Sequence, residues 1–195
     1  KMMASPKPET AHNPEISFPQ SKIFELKDTK RIFISSVNGL LGHSLFEQFR
    51  NDHLSINSGE DLKPHRFIGT INSTSEAAKQ TLCPSDTIKI IDSKAKPKNF
   101  AKQIRGADYI ILDISQLSCD MEEAETIIDI LRYREEKPVT NQVLVVLASP
   151  MTWSNTPKKA KGAAFAEADS DKRTPLPKYQ ALKQLELQSL ALPKQ

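Results

Sequence analysis

The sequence predicts an α/β fold, a Rossmann-like doubly wound parallel sheet of about five strands with helices on both faces. Apolar residues alternate along the chain between short runs rich in β-formers and longer stretches with helical spacing. Most of the short runs lack the polar alternation of a half-exposed sheet, which indicates strands that are buried on both faces. Right-handed crossovers between such strands leave the doubly wound arrangement as the natural topology.

Each element follows from a local pattern. Leu41, Leu45 and Phe49 share one face at helical spacing, which predicts a helix directly after the first strand. Asp120 is predicted to cap a later helix, and Glu123 stands at the capping-box position three residues on. A shorter helix is predicted between the third and fourth strands. The predicted strands are 31–35, 66–70, 87–92, 108–115 and 143–148, and the shorter helix is 99–105.

Length and charge suggest one folded domain between two extended segments. At 195 residues the chain has room for a single domain with tails. Residues 1–29 are rich in proline and polar residues and are predicted to be an extended arm, and residues 30–153 form the Rossmann-like domain. Residues 154–195 carry eight basic and four acidic residues, a net charge of +4, with a short helix near 178–190. This basic tail favours acidic partner surfaces.

Composition also excludes several classes of protein. The net charge of +3 and the lack of basic stripes interleaved with aromatic residues argue against a nucleic-acid partner. No apolar run approaches the ~18–20 residues of a membrane-spanning helix, so no membrane partner is expected. Cys83 and Cys119 have no metal-type spacing, and none of the four histidines has a partner at such spacing. The sequence therefore predicts a soluble intracellular protein without a metal site.

A glycine-containing turn follows the first predicted strand. In the G-x-x-G-x-x-G spacing of a dinucleotide-binding turn, Gly39 and Gly42 occupy the second and third positions and Ser36 the first. The Cβ of Ser36 restricts the backbone and crowds the path of a diphosphate. Two interpretations stay open: the glycines hold a nucleotide, or they serve only the packing of strand against helix.

The other anchors of a dinucleotide are incomplete. A carboxylate that binds the ribose is expected at the end of the second strand, but residues 68–72 contain none. Asp92, at the end of the third strand, is a candidate adenine contact or a simple turn residue. Asp113, in the fourth strand, would oppose a diphosphate, unless it only bonds the neighbouring turn.

A reductase-type catalytic group is available as an alternative. Tyr179 and Lys183 are four residues apart and so share one helix face, and Ser149 or Thr152 follows the fifth strand. In a short-chain reductase the lysine lowers the pKa of the tyrosine, and the hydroxyl residue polarises the substrate carbonyl. A surface helix with a chance Tyr–Lys pair is the competing interpretation.

Several stretches of the sequence carry a family resemblance. They are residues 108–111 with Ile114, residues 121–124, and residues 144–153 with their Met-Thr-Trp ending. The region 30–153 resembles the N-terminal half of extended short-chain dehydrogenases and epimerases. More narrowly, it is similar to the Rossmann-like region ahead of the kinase domain in ciliary adenylate kinases. An epimerase would continue with a sixth strand and a substrate lobe. If the narrower resemblance holds, this chain is expected to be a non-kinase module, a fragment, or the ordered part of something longer.

The resemblance implies a non-catalytic structural or docking component of the motile-cilium axoneme, in a radial-spoke or central-apparatus type of assembly. Its partners would then be other axonemal proteins, and it would need no cofactor. A G-x-x-x-x-G-K-[ST] phosphate loop is missing from the sequence, so kinase chemistry is not expected. The alternative is a nucleotide sensor or an enzyme that uses NAD or NADP, with Gly39, Gly42, Asp92, Tyr179 and Lys183 as its site.

Overall fold

The described residues include five strands of one sheet. The computed structural model describes residues 29–56, 65–72, 88–133, 141–160 and 163–193. The predicted N-terminal arm lies outside these residues except for its last position. Helix α1 is described to its end, but its side chains only as far as residue 51.

Five parallel strands form one sheet in the order β3-β2-β1-β4-β5. This order places β1 at the centre and reverses the direction of winding between β1 and β4, as in a Rossmann fold. The predicted fold class is therefore confirmed, and each predicted strand is present within two residues of its expected bounds. The strands are β1 (Arg31–Ile34), β2 (Arg66–Gly69), β3 (Ile88–Ile90), β4 (Tyr109–Ile114) and β5 (Val143–Ala148).

Helices connect the strands or follow them. The α-helices are α1 (Leu40–Ile56), α2 (Pro97–Arg105), α3 (Met121–Arg132) and α4 (Gln180–Leu190), and the short 3-10 helices are Pro150–Trp153, Glu167–Lys172 and Pro177–Tyr179. Helix α4 confirms the helix predicted near 178–190. Pro97 opens α2, where its missing N–H costs no hydrogen bond. Asp120 caps α3 by accepting a hydrogen bond from the Glu123 amide, as the sequence predicts.

The larger apolar core lies between the sheet and helices α2, α3 and α4. Phe33 of β1 meets Phe100 of α2 edge-on, with ring centroids 6.0 Å apart. Ile127 of α3 and Leu182 of α4 are fully buried in the same cluster. Burial of each such side chain contributes about 1.5–3 kcal/mol to folding, so α4 belongs to the domain energetically.

The opposite face of the sheet packs against α1. Phe46 of α1 meets Phe67 of β2 edge-on at a centroid distance of 5.3 Å, and Phe49 stacks on the same ring at 6.5 Å. These contacts fix α1 over β1 and β2. On β5, Val143 and Val145 remain 43% and 39% exposed. The described residues thus leave the outer end of the sheet partly uncovered.

The described part of the segment after Trp153 folds back against the domain. The amide of Asn155 donates to the Thr174 carbonyl at 2.8 Å, which closes a loop next to β5. Arg173 is almost fully buried and donates to Glu186 of α4 at 2.6 Å. Lys159 and Lys172 both pair with Asp169, whose single negative charge they share.

Candidate functional site

The candidate site lies where the winding of the sheet reverses. In open α/β sheets, ligands bind in the crevice at the carboxyl ends of the strands, at the point where neighbouring connections leave in opposite directions. Here that point is between β1 and β4, because β1 leads to β2 on one side while β4 leads to β5 on the other. The turn 35–39, the residues after β2, and the loop 115–120 form its edges.

Ser36 adopts the backbone conformation that the first glycine of a nucleotide turn requires. Its φ is +47°, in the left-handed region that costs a non-glycine residue roughly 1–2 kcal/mol. The surrounding structure holds it there: the Ser36 carbonyl accepts from the Gly39 amide at 2.7 Å, and the Val37 amide donates to the Thr70 carbonyl at 2.9 Å. Serine therefore holds a backbone conformation here that usually favours glycine.

The two glycines are required by close backbone approach. A Cβ on Gly42 would lie 2.6 Å from the Ser36 carbonyl oxygen and 3.0 Å from the Val37 Cα. A Cβ on Gly39 would lie 3.1 Å from the same oxygen. Gly42 thus serves the packing of strand against helix, and the choice between the two interpretations of the glycines stays open. The same contact brings the first turn of α1 against the end of β1. The first amides of a helix lack intrahelical partners and attract anions.

A buried carboxylate supports this turn from beneath. The Ser36 amide donates to the Thr70 hydroxyl oxygen at 3.0 Å, and that hydroxyl donates to Glu123 Oε1 at 2.6 Å. The Ser93 hydroxyl donates to Glu123 Oε2 at 2.9 Å. Glu123 therefore does not complete the predicted capping box, because tertiary hydroxyl groups hold its carboxylate. The cap itself, made by Asp120, stands.

The pKa of Glu123 is raised above its ordinary value. Burial is the main cause, since the residue is only 6% exposed, and the negative charge of Asp120 adds to it. The hydrogen bonds from Thr70 and Ser93, and the positive charge of Lys94, act in the opposite direction. Among the residues that the structure describes, this carboxylate thus has two hydroxyl donors and no cation in an ion pair with it.

A chain of hydrogen bonds crosses the crevice above this carboxylate. Asn38, in the turn after β1, accepts from the Asn72 amide at 2.9 Å and donates to the Asn72 carbonyl at 3.1 Å. The Asn72 side chain then donates to the Ser118 carbonyl at 2.6 Å. Sequence reasoning missed this chain and Thr70, although polar residues directly after a strand are a signal for crevice groups.

Asp92 and Asp113 both bond their own turns. Asp92 Oδ1 accepts from the amides of Ala95 and Lys94, and these bonds lower the pKa of Asp92. Asp113 Oδ1 accepts hydrogen bonds from the amide and the hydroxyl of Ser115. These contacts agree with the interpretation that Asp113 bonds the neighbouring turn. Asp113 nevertheless adds a negative charge to the end of β4.

The residues of the reductase-type group each make local contacts. The ammonium of Lys183 donates to the Arg173 carbonyl, and the Ser149 hydroxyl accepts from the Met151 amide at 3.3 Å. Tyr179 is half-buried against the core of α3 and α4. Each of the three groups thus has a local structural environment, and their predicted catalytic role stays a prediction.

Other kinds of site find little support in the described part of the chain. Burial raises the pKa of the Cys119 thiol to about 11, so it stays protonated at neutral pH. Within the described ranges there is no group of three or more residues that could hold a metal ion. Those ranges also contain no helix with the length and apolar character needed to cross a bilayer.

NAD or NADP fits one end of the crevice better than the other. The turn at Ser36, Gly39 and Gly42 has the shape that a diphosphate needs. At the ribose end, Asn72 stands where a carboxylate would select NAD or an arginine would select NADP, and its side chain is engaged by Ser118. The residues therefore fit a diphosphate without the usual means of choosing between the two dinucleotides.

Comparison with solved structures supports the fold. The chain is similar to a nucleoside-diphosphate-sugar epimerase from Agrobacterium tumefaciens, with a TM-score of 0.55 and 17% identity, over 83% of this chain and 48% of that one. It is also similar to Helicobacter pylori ADP-L-glycero-D-manno-heptose-6-epimerase, with a TM-score of 0.52 and 11% identity, over 86% and 51% of the two chains.

These similarities define the class of fold and not an individual activity. The chain spans about half the length of both epimerases. No protein-family model matches the sequence, and no curated protein matches it. The fold is therefore the Rossmann-like fold of epimerase-type proteins.

Proposed function

We propose that this chain is a dinucleotide-binding module that takes NAD or NADP at the turn between β1 and α1. The observation that carries the proposal is the shape of that turn. Ser36 is held in the left-handed conformation and Gly42 lies against its carbonyl, so the backbone has the form that brings a helix N-terminus to a diphosphate. This is the alternative that the sequence left open for the glycine motif.

The similar structures are named for substrates that share a nucleoside diphosphate with NAD and NADP. Both are named as enzymes of nucleotide-linked sugars, a nucleoside-diphosphate-sugar epimerase and an ADP-heptose epimerase. At this level of identity they support the fold, and the fold places its ligands at the carboxyl end of β1. The binding of a nucleotide by this chain is our inference from that placement together with the turn.

We assign no reaction to the module. Lys183 donates to the Arg173 carbonyl and Ser149 accepts from the Met151 amide, and these local contacts give no support to a catalytic role. Tyr179→Phe is therefore expected to leave both the dinucleotide affinity and any catalytic turnover unchanged. A loss of turnover in that variant, with folding intact, would favour the reductase or epimerase alternative.

Thermal unfolding with added dinucleotide tests the proposal. A ligand at a concentration of 100 times its dissociation constant adds about 2.7 kcal/mol to the free energy of unfolding. NAD or NADP should therefore raise the Tm of the wild-type protein. Leu40, the first residue of α1, is 75% exposed, and its replacement changes little packing. Leu40→Glu should stabilise the helix N-terminus but repel a diphosphate, whereas Leu40→Gln should bind like the wild type.

A Tm shift in the wild type and Leu40→Gln that is absent in Leu40→Glu would support a diphosphate at this helix. Equal shifts in all three proteins would place the ligand elsewhere. A flat response in every protein across millimolar NAD and NADP would contradict the dinucleotide proposal. The expectation that the chain needs no cofactor stays a prediction that the same titration tests.

A second candidate is a non-catalytic docking component, and the hydrogen bonds across the crevice favour it. Asn72 closes the path over β1, and the acidic Asp113 and Glu123 lie near it. The setting in the motile-cilium axoneme comes from the sequence resemblance alone. The net charge of +4 in residues 154–195 already includes Asp169, which pairs with Lys159 and Lys172, so these ion pairs leave the attraction for acidic partners in place.

Localisation tests the axonemal setting independently of ligand binding. A tagged full-length protein should stay with the axoneme after detergent extraction of isolated cilia if it docks there. Its release with the soluble fraction, or its absence from cilia, would contradict this setting. Neither result bears on the affinity for a dinucleotide, so the two proposals can be separated.

A further inference from the structure

We propose that Asn38, Asn72 and the Ser118 carbonyl form a latch that keeps the dinucleotide crevice closed, so that nucleotide binding requires the Asn72–Ser118 bond to open. This inference rests on the proposed function, because it concerns access to the same crevice. It assigns a regulatory role to side chains that the glycine motif does not include.

The first half of the latch joins the turn after β1 to the end of β2. Asn38 makes two hydrogen bonds with the backbone of Asn72, one as acceptor at 2.9 Å and one as donor at 3.1 Å. The two bonds fix the position of the Asn72 backbone relative to the turn. The Asn72 side chain is left to reach across the sheet.

The second half of the latch crosses the switch point. Asn72 follows β2, and Ser118 lies in the loop after β4. Strand β1 lies between β2 and β4 in the sheet, so the 2.6 Å bond from Asn72 Nδ2 to the Ser118 carbonyl passes over the carboxyl end of β1. A dinucleotide lying across the ends of these strands would occupy the same path.

The bond is weak enough to open. A single hydrogen bond at an exposed position contributes about 0.5–1.5 kcal/mol, because water replaces it when it breaks. When a closed state dominates, the apparent dissociation constant is the intrinsic constant divided by the open fraction. Removing the bond should therefore tighten apparent binding by about 2- to 12-fold.

The test compares the binding of NAD to the wild type and to Asn72→Ala by calorimetry. Asn72→Ala removes the bond to Ser118 and keeps the contacts of Asn38, which are made with the backbone of residue 72. Asn99→Ala is a matched control, because Asn99 accepts only a long side-chain contact from Gln103 on α2. We expect tighter binding in Asn72→Ala and unchanged binding in Asn99→Ala.

Each outcome supports or overturns the latch, the dinucleotide proposal, or both. Binding that is tighter in Asn72→Ala, or found only in that variant, supports both. Binding in the wild type that is equal or weaker in Asn72→Ala overturns the latch and leaves the dinucleotide proposal standing. No binding in either protein overturns both.

If Asn72→Ala fails to fold, Asn72→Asp replaces it in the same comparison, because a carboxylate cannot donate to the Ser118 carbonyl. Asn72→Asp should then bind NAD more tightly than the wild type does. A carboxylate at the end of β2 also favours the free ribose hydroxyl of NAD, so the gain should be larger for NAD than for NADP. An NAD affinity no higher than that of the wild type would overturn the latch.

Discussion

Glu123→Gln tests the buried carboxylate that supports the nucleotide turn. Glutamine keeps the shape of the side chain, its Oε1 can still accept from Thr70, and its amide can donate to Ser93. The substitution therefore removes a buried negative charge while conserving both contacts. The pKa of Glu123 is raised in the folded protein, mainly by burial, so the folded state holds the proton to a higher pH than the unfolded chain does.

The sign of the effect on stability follows from this difference in proton binding. Below the ordinary glutamate pKa of 4.5, the side chain is protonated in both states, and the wild type and Glu123→Gln should differ little. As pH rises through the folded pKa, the wild type loses stability relative to the variant. One proton limits the slope of this difference to about 1.4 kcal/mol per pH unit. Above the folded pKa the difference is constant.

Urea unfolding between pH 4 and 8 measures this difference, with the m-value checked for constancy. Glu122→Gln is the matched control, because Glu122 is exposed and pairs only with Lys94 at the surface. The free energy of unfolding of Glu122→Gln should stay within about 0.5 kcal/mol of the wild-type value across this pH range. A wild-type stability that rises relative to Glu123→Gln with increasing pH would refute the account of Glu123 as a carboxylate whose burial outweighs its hydrogen bonds.

Further predictions concern the turn, the C-terminal segment and the sheet edge. Gly42→Ala should lower the free energy of unfolding by about 1–3 kcal/mol in urea, because the new Cβ would lie 2.6 Å from a backbone oxygen. Gly106→Ala should lower it by less, because the nearest atom to its Cβ is the end of the flexible Arg31 side chain. Glu186→Ala should lower the free energy of unfolding by about 3–5 kcal/mol, because it removes the ion-pair partner of the buried Arg173. A decrease below about 1 kcal/mol would contradict the burial of this pair. Val145→Lys on the exposed edge of β5 should reduce light scattering by aggregates at equal concentration, with stability changed by less than about 0.5 kcal/mol.

The sheet could be predicted from sequence because its strands are defined by local patterns. The runs around Phe33, Ile111 and Val145 are apolar over several residues and are separated by helical spacing, which leaves few topologies. The cap at Asp120 was predictable for the same reason, since it involves a donor three residues away. The helix that contains Leu182 follows from its apolar spacing.

Contacts between distant residues could not be predicted. Glu123 bonds Thr70, which is 53 positions away, so the capping-box spacing gave no sign of its real partners. From composition alone, Arg173 and Glu186 are expected to be solvated charges. In the structure they form a buried ion pair. The left-handed backbone of Ser36 depends on tertiary bonds that a search for glycine does not detect.

Amide chemical shifts during a titration with NAD test the central claim most directly. The account predicts that the largest changes in the ¹⁵N-labelled wild type occur at Ser36, Asn38, Gly39 and the first turn of α1, and that they reach saturation at lower concentration in Asn72→Ala. Spectra of both proteins that stay unchanged to millimolar NAD, or changes confined to residues away from this turn, would contradict a dinucleotide site at the carboxyl end of β1.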